Sequence, residues 1–181
     1  MLVVELWEHV LDNMSINDIL RLSRTCRLMR NIVEGYWRVA FNFSLLMQPF
    51  IRHETLYCFR KILQTTGGII SGSTALQYLD RARYENSDLD IFVNHSKCGI
   101  LSEWLLNEGM RRVKNTLQPT SHNVHDGDDY SPLGEMHHVE EYEVTQSDAA
   151  RRIHLIATRK EPVLAVLNFH SCTCVLTAAN L

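Results

Sequence analysis

Hydrophobic residues recur at helical spacing in the N-terminal part of the chain. Trp7, Val10 and Met14 lie three or four positions apart with acidic residues between them, which predicts an amphipathic first helix. Ser15 precedes Asp18 by three residues, a pattern typical of a helix start, so a second helix is expected to follow. The same periodicity predicts a third helix, whose apolar side carries Cys26, Met29, Ile32, Val33, Tyr36 and Trp37. Helices this short are individually marginal, and we expect them to pack together or on the rest of the chain.

After residue 50 the pattern changes to helices alternating with short apolar runs that suit strands. A helix is predicted over residues 54–64, ending at the glycines that follow it. Ile69–Ser71 predicts a short buried strand, and Gly72 and Ser73 a tight turn. The next helix is expected over residues 74–79, with a core-facing side formed by Ala75, Leu76 and Leu79.

Alternating positions then predict a strand over residues 88–93, in which Asp88 and Asp90 share one face. A helix is expected after Gly99, with an apolar side formed by Leu101, Trp104, Leu105 and Met110. Residues 115–135 are polar and contain two prolines, which predicts a long loop. The rest of the chain predicts strands at residues 139–144 and 153–158, a helix at 163–167 and a last strand or short helix at 172–178.

These elements predict an α+β protein in two parts: a helical module at residues 1–45, and a mixed twisted sheet flanked by helices at residues 50–181. The chain has 181 residues, 45% hydrophobic and 22% charged, which suits a buried core. A formal net charge of -3 does not indicate nucleic-acid binding through bulk charge. No apolar run approaches the ~20 residues of a membrane span, and the N-terminus lacks a basic leader. We therefore expect no membrane partner and a cytoplasmic or nuclear location.

The cysteines and histidines outside the central part of the chain favour structural roles. The five cysteines are an odd, scattered set without metal-ligand spacing, which predicts reduced thiols: Cys26, Cys58, Cys98, Cys172 and Cys174. A solvated loop is the favoured interpretation of His122, His125, Asp126, Asp128 and Asp129. His137 and His138 would point to opposite faces of a strand, which makes them a poor ligand pair. His170 is expected to be a core histidine.

The central part of the chain carries a pattern suited to binding a phosphate and a divalent cation. Gly72 and Ser73 open a helix, whose N-terminal amides favour phosphate and whose glycine allows close approach. Carboxylates at Asp88 and Asp90 point the same way, so both can ligate Mg²⁺ or Mn²⁺ bridging a nucleotide's phosphates. An acid on a buried strand needs a partner, and a metal ion or an arginine is expected to supply it for Asp90. The candidate arginines are Arg81 and Arg83.

The runs ISGSTAL and SDLDIFV resemble the nucleotidyltransferase superfamily, in which a Gly-Ser turn precedes Asp-x-Asp on the next strand. The chain is similar in particular to fungal proteins that join an F-box-like N-terminus to a nucleotidyltransferase-like body, with FHSCTC as a weaker second anchor. The resemblance implies a minimal nucleotidyltransferase fold that binds a nucleoside triphosphate. Gly72 and Ser73 would hold its phosphates, and Asp88 and Asp90 would hold Mg²⁺ or Mn²⁺ and serve catalysis.

Active members of that superfamily carry one more acid on a later strand, and this chain departs from the pattern. The matching position holds His154, between Ile153 and Leu155. A histidine can bind a metal or take a proton, but the exchange predicts a degenerate site with weak or lost transferase activity. Glu140, Glu141 or Glu143 on the neighbouring predicted strand remain open as substitutes.

The N-terminal run LVVELWEHVLDNMSINDILRLSRTCRLMRNIVEGYW resembles an F-box, the helical motif that docks the Skp-type adaptor of cullin ubiquitin ligases. The family favours Leu-Pro where this chain has Leu2-Val3. The leading hypothesis from the whole sequence is a nucleotide-binding, nucleotidyltransferase-like protein. The alternative is an F-box-like interaction protein that recruits a client to the ligase without catalysis. A toxin–antitoxin-like or antibiotic-modifying transferase shares the fold but needs the missing acid.

Overall fold

Three helices form the N-terminal module of the protein, as the apolar periodicity predicts. A computed structural model describes residues 2–82, 84, 87–117, 136–144, 151–169 and 176–177. The module consists of Leu2–Asp12 (α1), Ile16–Ser23 (α2) and Arg27–Ala40 (α3). The Ser15 hydroxyl caps α2 by accepting a hydrogen bond from the Asp18 amide, as expected from their spacing. The core of the module is formed by Leu11, Ile19, Val33 and Tyr36.

Two further helices lead from the module into the body. Phe43–Met47 (α4) is a single short helix that the apolar pattern does not predict, and its first turn is capped by the Asn42 side chain. A 3₁₀ turn at His53–Thr55 then opens Leu56–Thr66 (α5). Gly67 ends α5 with a φ of 67°, the left-handed conformation expected of a glycine at a helix C-terminus.

The described residues of the body form a mixed sheet between helices. Its strands are Ile69–Ser71 (β1), Leu89–Asn94 (β2), Arg111–Leu117 (β3), Met136–Glu143 (β4), Arg152–Thr158 (β5) and Leu176–Thr177 (β6). The helices of the body are Gly72–Asp80 (α6), His95–Asn107 (α7) and Pro162–Phe169 (α8). The strand order is β3-β4-β5-β2-β1-β6, with β2 and β5 parallel and the other neighbours antiparallel. The α+β class and the mixed sheet of the sequence prediction are confirmed.

Each face of the sheet has its own apolar core. On the face that we call the α7 face, Leu89 and Ile91 of β2 pack with Leu63 of α5 and Leu101 of α7. The opposite face, here called the α8 face, has a smaller cluster formed by Ile69, Phe92, Met136, Ile156 and Val166. Because side chains alternate along a strand, Asp90 lies on the α8 face, as the sequence pattern predicts.

The interior of α6 is more polar than the sequence analysis predicts. Leu76 and Leu79 were expected to face the core, but they are exposed. Thr74 and Gln77 are buried instead, because they hold the segment that enters β2. The Thr74 hydroxyl donates to the Asp88 carbonyl at 2.7 Å, and the Gln77 amide donates to the Ser87 hydroxyl at 2.6 Å. Gly72 and Ser73 are the first residues of α6 rather than a separate turn.

Two other expectations are wrong in their boundaries. The helix predicted after Gly99 begins at His95, where Asn94 caps it, and Met110 is buried beyond its end. The predicted loop at 115–135 starts inside β3, an edge strand whose charged residues hide its periodicity. Its Arg111 pairs with Glu143 of β4. Outside the described residues lie Arg83, residues 118–135, His170, Cys172 and Cys174.

Arg81 joins the helical module to the body. It follows α6 in the left-handed conformation, with a φ of 58°. Its guanidinium donates to the Leu11 carbonyl at 3.0 Å, to the Met14 carbonyl at 2.8 Å and to the Tyr36 hydroxyl at 2.8 Å. The carbonyls belong to the C-terminal end of α1 and the turn after it, where backbone acceptors lack helical partners. The expectation that Arg81 pairs with Asp90 is therefore wrong, because the Arg81 guanidinium is hydrogen-bonded to the helical module instead.

Candidate functional site

Cross-strand pairing brings the polar residues of the α8 face into one row. In the register of the sheet, Ser71 lies opposite Asp90, Asp90 lies beside His154, and His154 lies opposite Glu141. The row therefore crosses β1, β2, β5 and β4. Asp88 precedes β2 on the same side as Asp90, since the two positions are separated by one residue. The candidate residues Asp88, Asp90 and His154 thus converge on one place.

His154 is the partner of Asp90. Its Nδ1 lies 2.8 Å from Asp90 Oδ1, and both side chains are about three-quarters buried. The hydrogen bond to Asp90 raises the pKa of His154, and the charges of Asp90, Asp88 and Glu141 act in the same direction against the effect of burial. The chain therefore places an acid–histidine pair where the superfamily pattern places two acids. The sequence identified both residues but not their contact with each other.

Gly72 packs directly against the Asp90 carboxylate. The backbone of Gly72 has a φ of 71°, which favours glycine, and a Cβ built at this position would overlap Asp90 Oδ2. Position 72 therefore excludes side chains for two independent reasons. Ser73 follows in the first turn of α6, so the N-terminal amides of this helix lie beside Asp90. The sequence analysis singled out Gly72 for the close approach of a phosphate, whereas the group that packs against it in the structure is the Asp90 carboxylate.

Asp88 and Glu141 complete the charged surroundings of His154. Thr74 holds the Asp88 backbone, while the Asp88 carboxylate makes no hydrogen bond or ion pair with any part of the chain that the structure describes. Glu141 pairs with Arg152 at 2.8 Å. Of the three glutamates left open as substitutes for the missing acid, only Glu141 lies directly opposite His154. Glu140 is buried on the other face, and Glu143 pairs with Arg111.

Arg152 is a residue of this surface that the sequence analysis did not single out. It shares the strand face of His154, two positions away on β5, and its guanidinium holds Glu141. The signal was present in the sequence, since alternation along residues 152–158 puts positions 152 and 154 on one side. Only the register between β4 and β5 shows that Glu141 is the acid that forms an ion pair with Arg152.

The helical module presents apolar side chains to solvent. Leu6 and Leu28 are each 63% exposed, and Val10 is 48% exposed. A cavity of about 370 Å³ lies between α1 and α3, with Trp7, Leu11, Ile32 and Tyr36 among its lining residues. The three helices of the module bury a small core, and apolar side chains on both α1 and α3 remain exposed.

Residues 1–38 match the F-box domain. The F-box resemblance of the N-terminal run is confirmed, although this chain has Leu2-Val3 where the family favours Leu-Pro. The matched segment covers α1, α2 and most of α3.

No curated protein and no solved structure matches the chain. The likeness of the body to nucleotidyltransferases, and to fungal proteins in particular, therefore rests on the motifs of the sequence alone. Among the described residues, none of the helices has the length and apolar character needed to span a membrane.

Proposed function

We propose that this protein is an F-box adaptor that recruits a client to a cullin ubiquitin ligase. Its F-box would dock the Skp-type adaptor of the ligase through the helical module, and the α+β body would bind the client. The observation that carries this proposal is the match of residues 1–38 to the F-box domain. Recruitment of this kind needs no chemistry in the body, so it does not depend on the missing third acid.

The exposed apolar residues of the module support a docking role. Leu6 and Leu28 lie on α1 and α3, and each exposes most of its side chain. Because exposed apolar side chains that form a continuous patch mark interaction sites, we propose that these leucines belong to the surface that docks the Skp-type adaptor. Apolar anchors near the centre of an interface dominate its binding free energy, so each of these leucines is expected to matter individually.

The connection between module and body also suits an adaptor. Arg81 binds two backbone carbonyls and one hydroxyl of the module, and the Tyr78 hydroxyl donates to the Phe41 carbonyl at 3.1 Å. These bonds fix the orientation of the body relative to the docked helices. A client held by the body would therefore be presented at a defined position rather than on a free tether.

Binding of the full chain to a purified Skp-type adaptor tests this proposal. We expect a stable complex in size-exclusion chromatography and a measurable affinity by calorimetry. Leu6→Asp and Leu28→Asp each place a charge in the apolar surface and are expected to weaken binding at least about tenfold. Leu106→Asp is the matched control, because Leu106 is an exposed leucine on α7 of the body. Absence of a complex, or equal losses in the three folded variants, would reject the proposal.

A second candidate function is nucleotide binding by a nucleotidyltransferase-like body with weak or lost transferase activity. It is favoured by one observation, the packing of Gly72 against Asp90 at the start of α6. The donor set fits Mg²⁺ or Mn²⁺: Asp88 has a carboxylate without a hydrogen bond among the described residues, and Asp90 lies on the same face. Asp88 and Asp90 would hold the cation, which when bound neutralises the phosphates of the nucleotide.

The roles of the chain's own residues in that candidate function follow from their positions. Gly72 and Ser73 would receive phosphate oxygens on the amides at the start of α6. His154 would keep Asp90 oriented through its Nδ1 contact. A histidine replaces the third acid there and adds no negative charge to hold a second cation, which is the physical reason to expect little transferase activity.

Calorimetric titration of ATP and GTP with Mg²⁺ or Mn²⁺ tests this candidate. We expect metal-dependent binding in the wild type that is lost in Asp88→Asn/Asp90→Asn. Asp80→Asn is the control, since Asp80 ends the same helix on the surface of the protein. If the folded wild type binds neither nucleotide, the nucleotide-binding role is wrong and the adaptor role stands alone.

A further inference from the structure

A second polar cluster lies on the α7 face of the sheet, away from the row of Asp90 and His154. Cys98 is in the first turn of α7 and points at β4. His138 and Glu140 are two positions apart on β4, so they share the face toward this helix. One atom from each side chain lies within 4.8 Å of the others: Cys98 Sγ, His138 Nε2 and a Glu140 carboxylate oxygen.

A β-bulge explains why His138 reaches this cluster. Met136 lies opposite Thr158 and His138 lies opposite Ala157, so His137 is the extra residue between two paired positions. The prediction that His137 and His138 point to opposite faces is therefore wrong. The two rings lie side by side, with Nδ1 of one 2.9 Å from Nδ1 of the other.

The distances in the cluster match those of a tetrahedral metal site. Cys98 Sγ lies 3.7 Å from His138 Nε2, and His138 Nε2 lies 3.4 Å from Glu140 Oε1. Zinc bonds of ~2.3 Å to sulfur and ~2.0–2.1 Å to nitrogen or oxygen imply tetrahedral separations of about 3.6 Å and about 3.4 Å. Both separations that involve His138 therefore match those around a bound zinc ion, and the Cys98 sulfur and a Glu140 oxygen lie within 4.8 Å of each other.

The electrostatics of the cluster favour a divalent cation. Glu140 is 6% exposed and its nearest cationic side chain, Arg112, lies 3.7 Å away, too far for a hydrogen bond. A divalent cation bound to one thiolate, one carboxylate and one neutral imidazole gives a group of zero net charge. Such a group can be buried at much lower cost than an isolated carboxylate.

Surrounding hydrogen bonds orient the three side chains. The Ser102 hydroxyl lies 2.7 Å from the Tyr142 hydroxyl, which in turn donates to Glu140 Oε2 and leaves Oε1 facing the cluster. In the tautomer of His138 that carries its proton on Nδ1, this N–H donates a hydrogen bond to His137 Nδ1. The Nε2 atom of His138 then has a free lone pair for a metal. Support of this kind is typical of metal ligands.

We propose that Cys98, His138 and Glu140 form a zinc site that fastens α7 to β4, with the fourth tetrahedral position held by water. Zinc is the expected ion because sulfur, imidazole and carboxylate together suit it better than Mg²⁺ or Ca²⁺. On binding, zinc takes the Cys98 sulfur as thiolate and one proton passes to solvent. This site is separate from both proposed functions, since it lies on the other face of the sheet from Asp90.

Metal content and Co²⁺ spectroscopy of the full chain test the proposal. We expect one zinc ion per chain by elemental analysis of protein purified without chelator. After chelation, added Co²⁺ should give a thiolate charge-transfer band and the visible d–d bands of tetrahedral coordination. Loss of one ligand in Cys98→Ser, His138→Gln or Glu140→Gln is expected to weaken zinc binding by at least about 100-fold. Tyr142→Phe, which removes only a supporting hydrogen bond, should weaken it about tenfold.

Cys58→Ser and His53→Gln are the matched controls. Cys58 is an exposed cysteine, and His53 is exposed in the 3₁₀ turn before α5. Both variants should keep the Co²⁺ spectrum, and circular dichroism selects the ligand variants that retain the fold. The proposal is overturned if the folded wild type binds less than one zinc per chain in excess metal. It is also overturned if Cys98→Ser keeps the charge-transfer band, or if Cys58→Ser loses it.

Discussion

At the scale of single residues, the arrangement of the α8 face is set by the two groups that pack against the Asp90 carboxylate. Gly72 leaves room for the carboxylate on one side, and His154 binds it on the other. An acid next to apolar neighbours on a buried strand indicates that a partner exists, and this much was predictable from the sequence. The identity of the partner was not, because it depends on the parallel pairing of β2 with β5 across more than sixty residues of chain.

Replacement of Gly72 by alanine is expected to lower the free energy of unfolding by about 2–3 kcal/mol, since it adds backbone strain and an overlap with Asp90. Two other glycines serve to distinguish backbone strain from the overlap with Asp90 as the cause of this loss of stability. Gly67 has a φ of 67° and open space around it, so Gly67→Ala should cost only about 1 kcal/mol. Gly99 lies in α7 with open space and should gain slightly from alanine. Urea denaturation gives the three values, and equal losses for Gly72→Ala and Gly67→Ala would exclude the overlap.

The pair of His154 and Asp90 predicts a pH dependence of stability. The pKa of His154 is raised in the folded protein above its ordinary value of about 6.5. A raised pKa means that the stabilisation is complete below that value and is lost as pH rises through the folded pKa. His154→Gln should therefore lower the unfolding free energy by about 1 kcal/mol at pH 6 and by clearly less at pH 9.

The measurement is urea denaturation in metal-free buffer at both pH values. His53→Gln serves as the reference variant, because His53 is exposed in the 3₁₀ turn and is expected to give no difference between pH 6 and pH 9. A loss for His154→Gln that is the same at both pH values would show that the contact with Asp90 does not involve the imidazolium.

At the scale of elements, periodicity identifies most helices and strands but not which side of each is buried. The amphipathic helices of the module and the strands β1, β2 and β5 have clear apolar patterns and are found where expected, whereas the more polar β4 begins three residues before its predicted start. The strand β3 was missed because five of its residues are polar or charged. The buried side of α6 was wrong because hydrogen bonds from Thr74 and Gln77, rather than leucine packing, decide its orientation.

The C-terminal end of α1 accepts hydrogen bonds from Arg81, a residue that lies outside the module. Arg81→Met removes three hydrogen bonds to Leu11, Met14 and Tyr36 while keeping most of the side-chain volume. We expect it to cost about 2–3 kcal/mol of stability, because carbonyls and a hydroxyl lose a charged donor. Hydrogen exchange should become faster in α1 and α3 and remain unchanged in β2 and β5. Arg60→Met is the control, since Arg60 is an exposed arginine of α5. Faster exchange throughout the body would mean that Arg81 supports the whole fold instead.

At the scale of the whole molecule, the two proposed functions use different surfaces of one chain. The exposed leucines of the module lie on α1 and α3, whereas Asp90 lies on the α8 face of β2 and Asp88 comes just before this strand. We therefore expect Asp88→Asn/Asp90→Asn to bind a Skp-type adaptor with wild-type affinity, within about twofold. Conversely, Leu28→Asp should leave any nucleotide binding unchanged, because additivity holds for sites without shared contacts.

Coupling between nucleotide binding and adaptor binding would have a specific structural explanation. Among the described elements, the helix α6 begins at Gly72 beside Asp90 and is followed by Arg81, which is hydrogen-bonded to the helical module, so it connects the Asp90 surface with the module. If nucleotide changes the affinity for the adaptor, the adaptor must change the affinity for nucleotide by the same factor. In that case Arg81→Met should abolish the coupling while each binding reaction persists. Calorimetry of the adaptor with and without ATP and Mg²⁺, in both proteins, distinguishes two independent surfaces from one connected through α6.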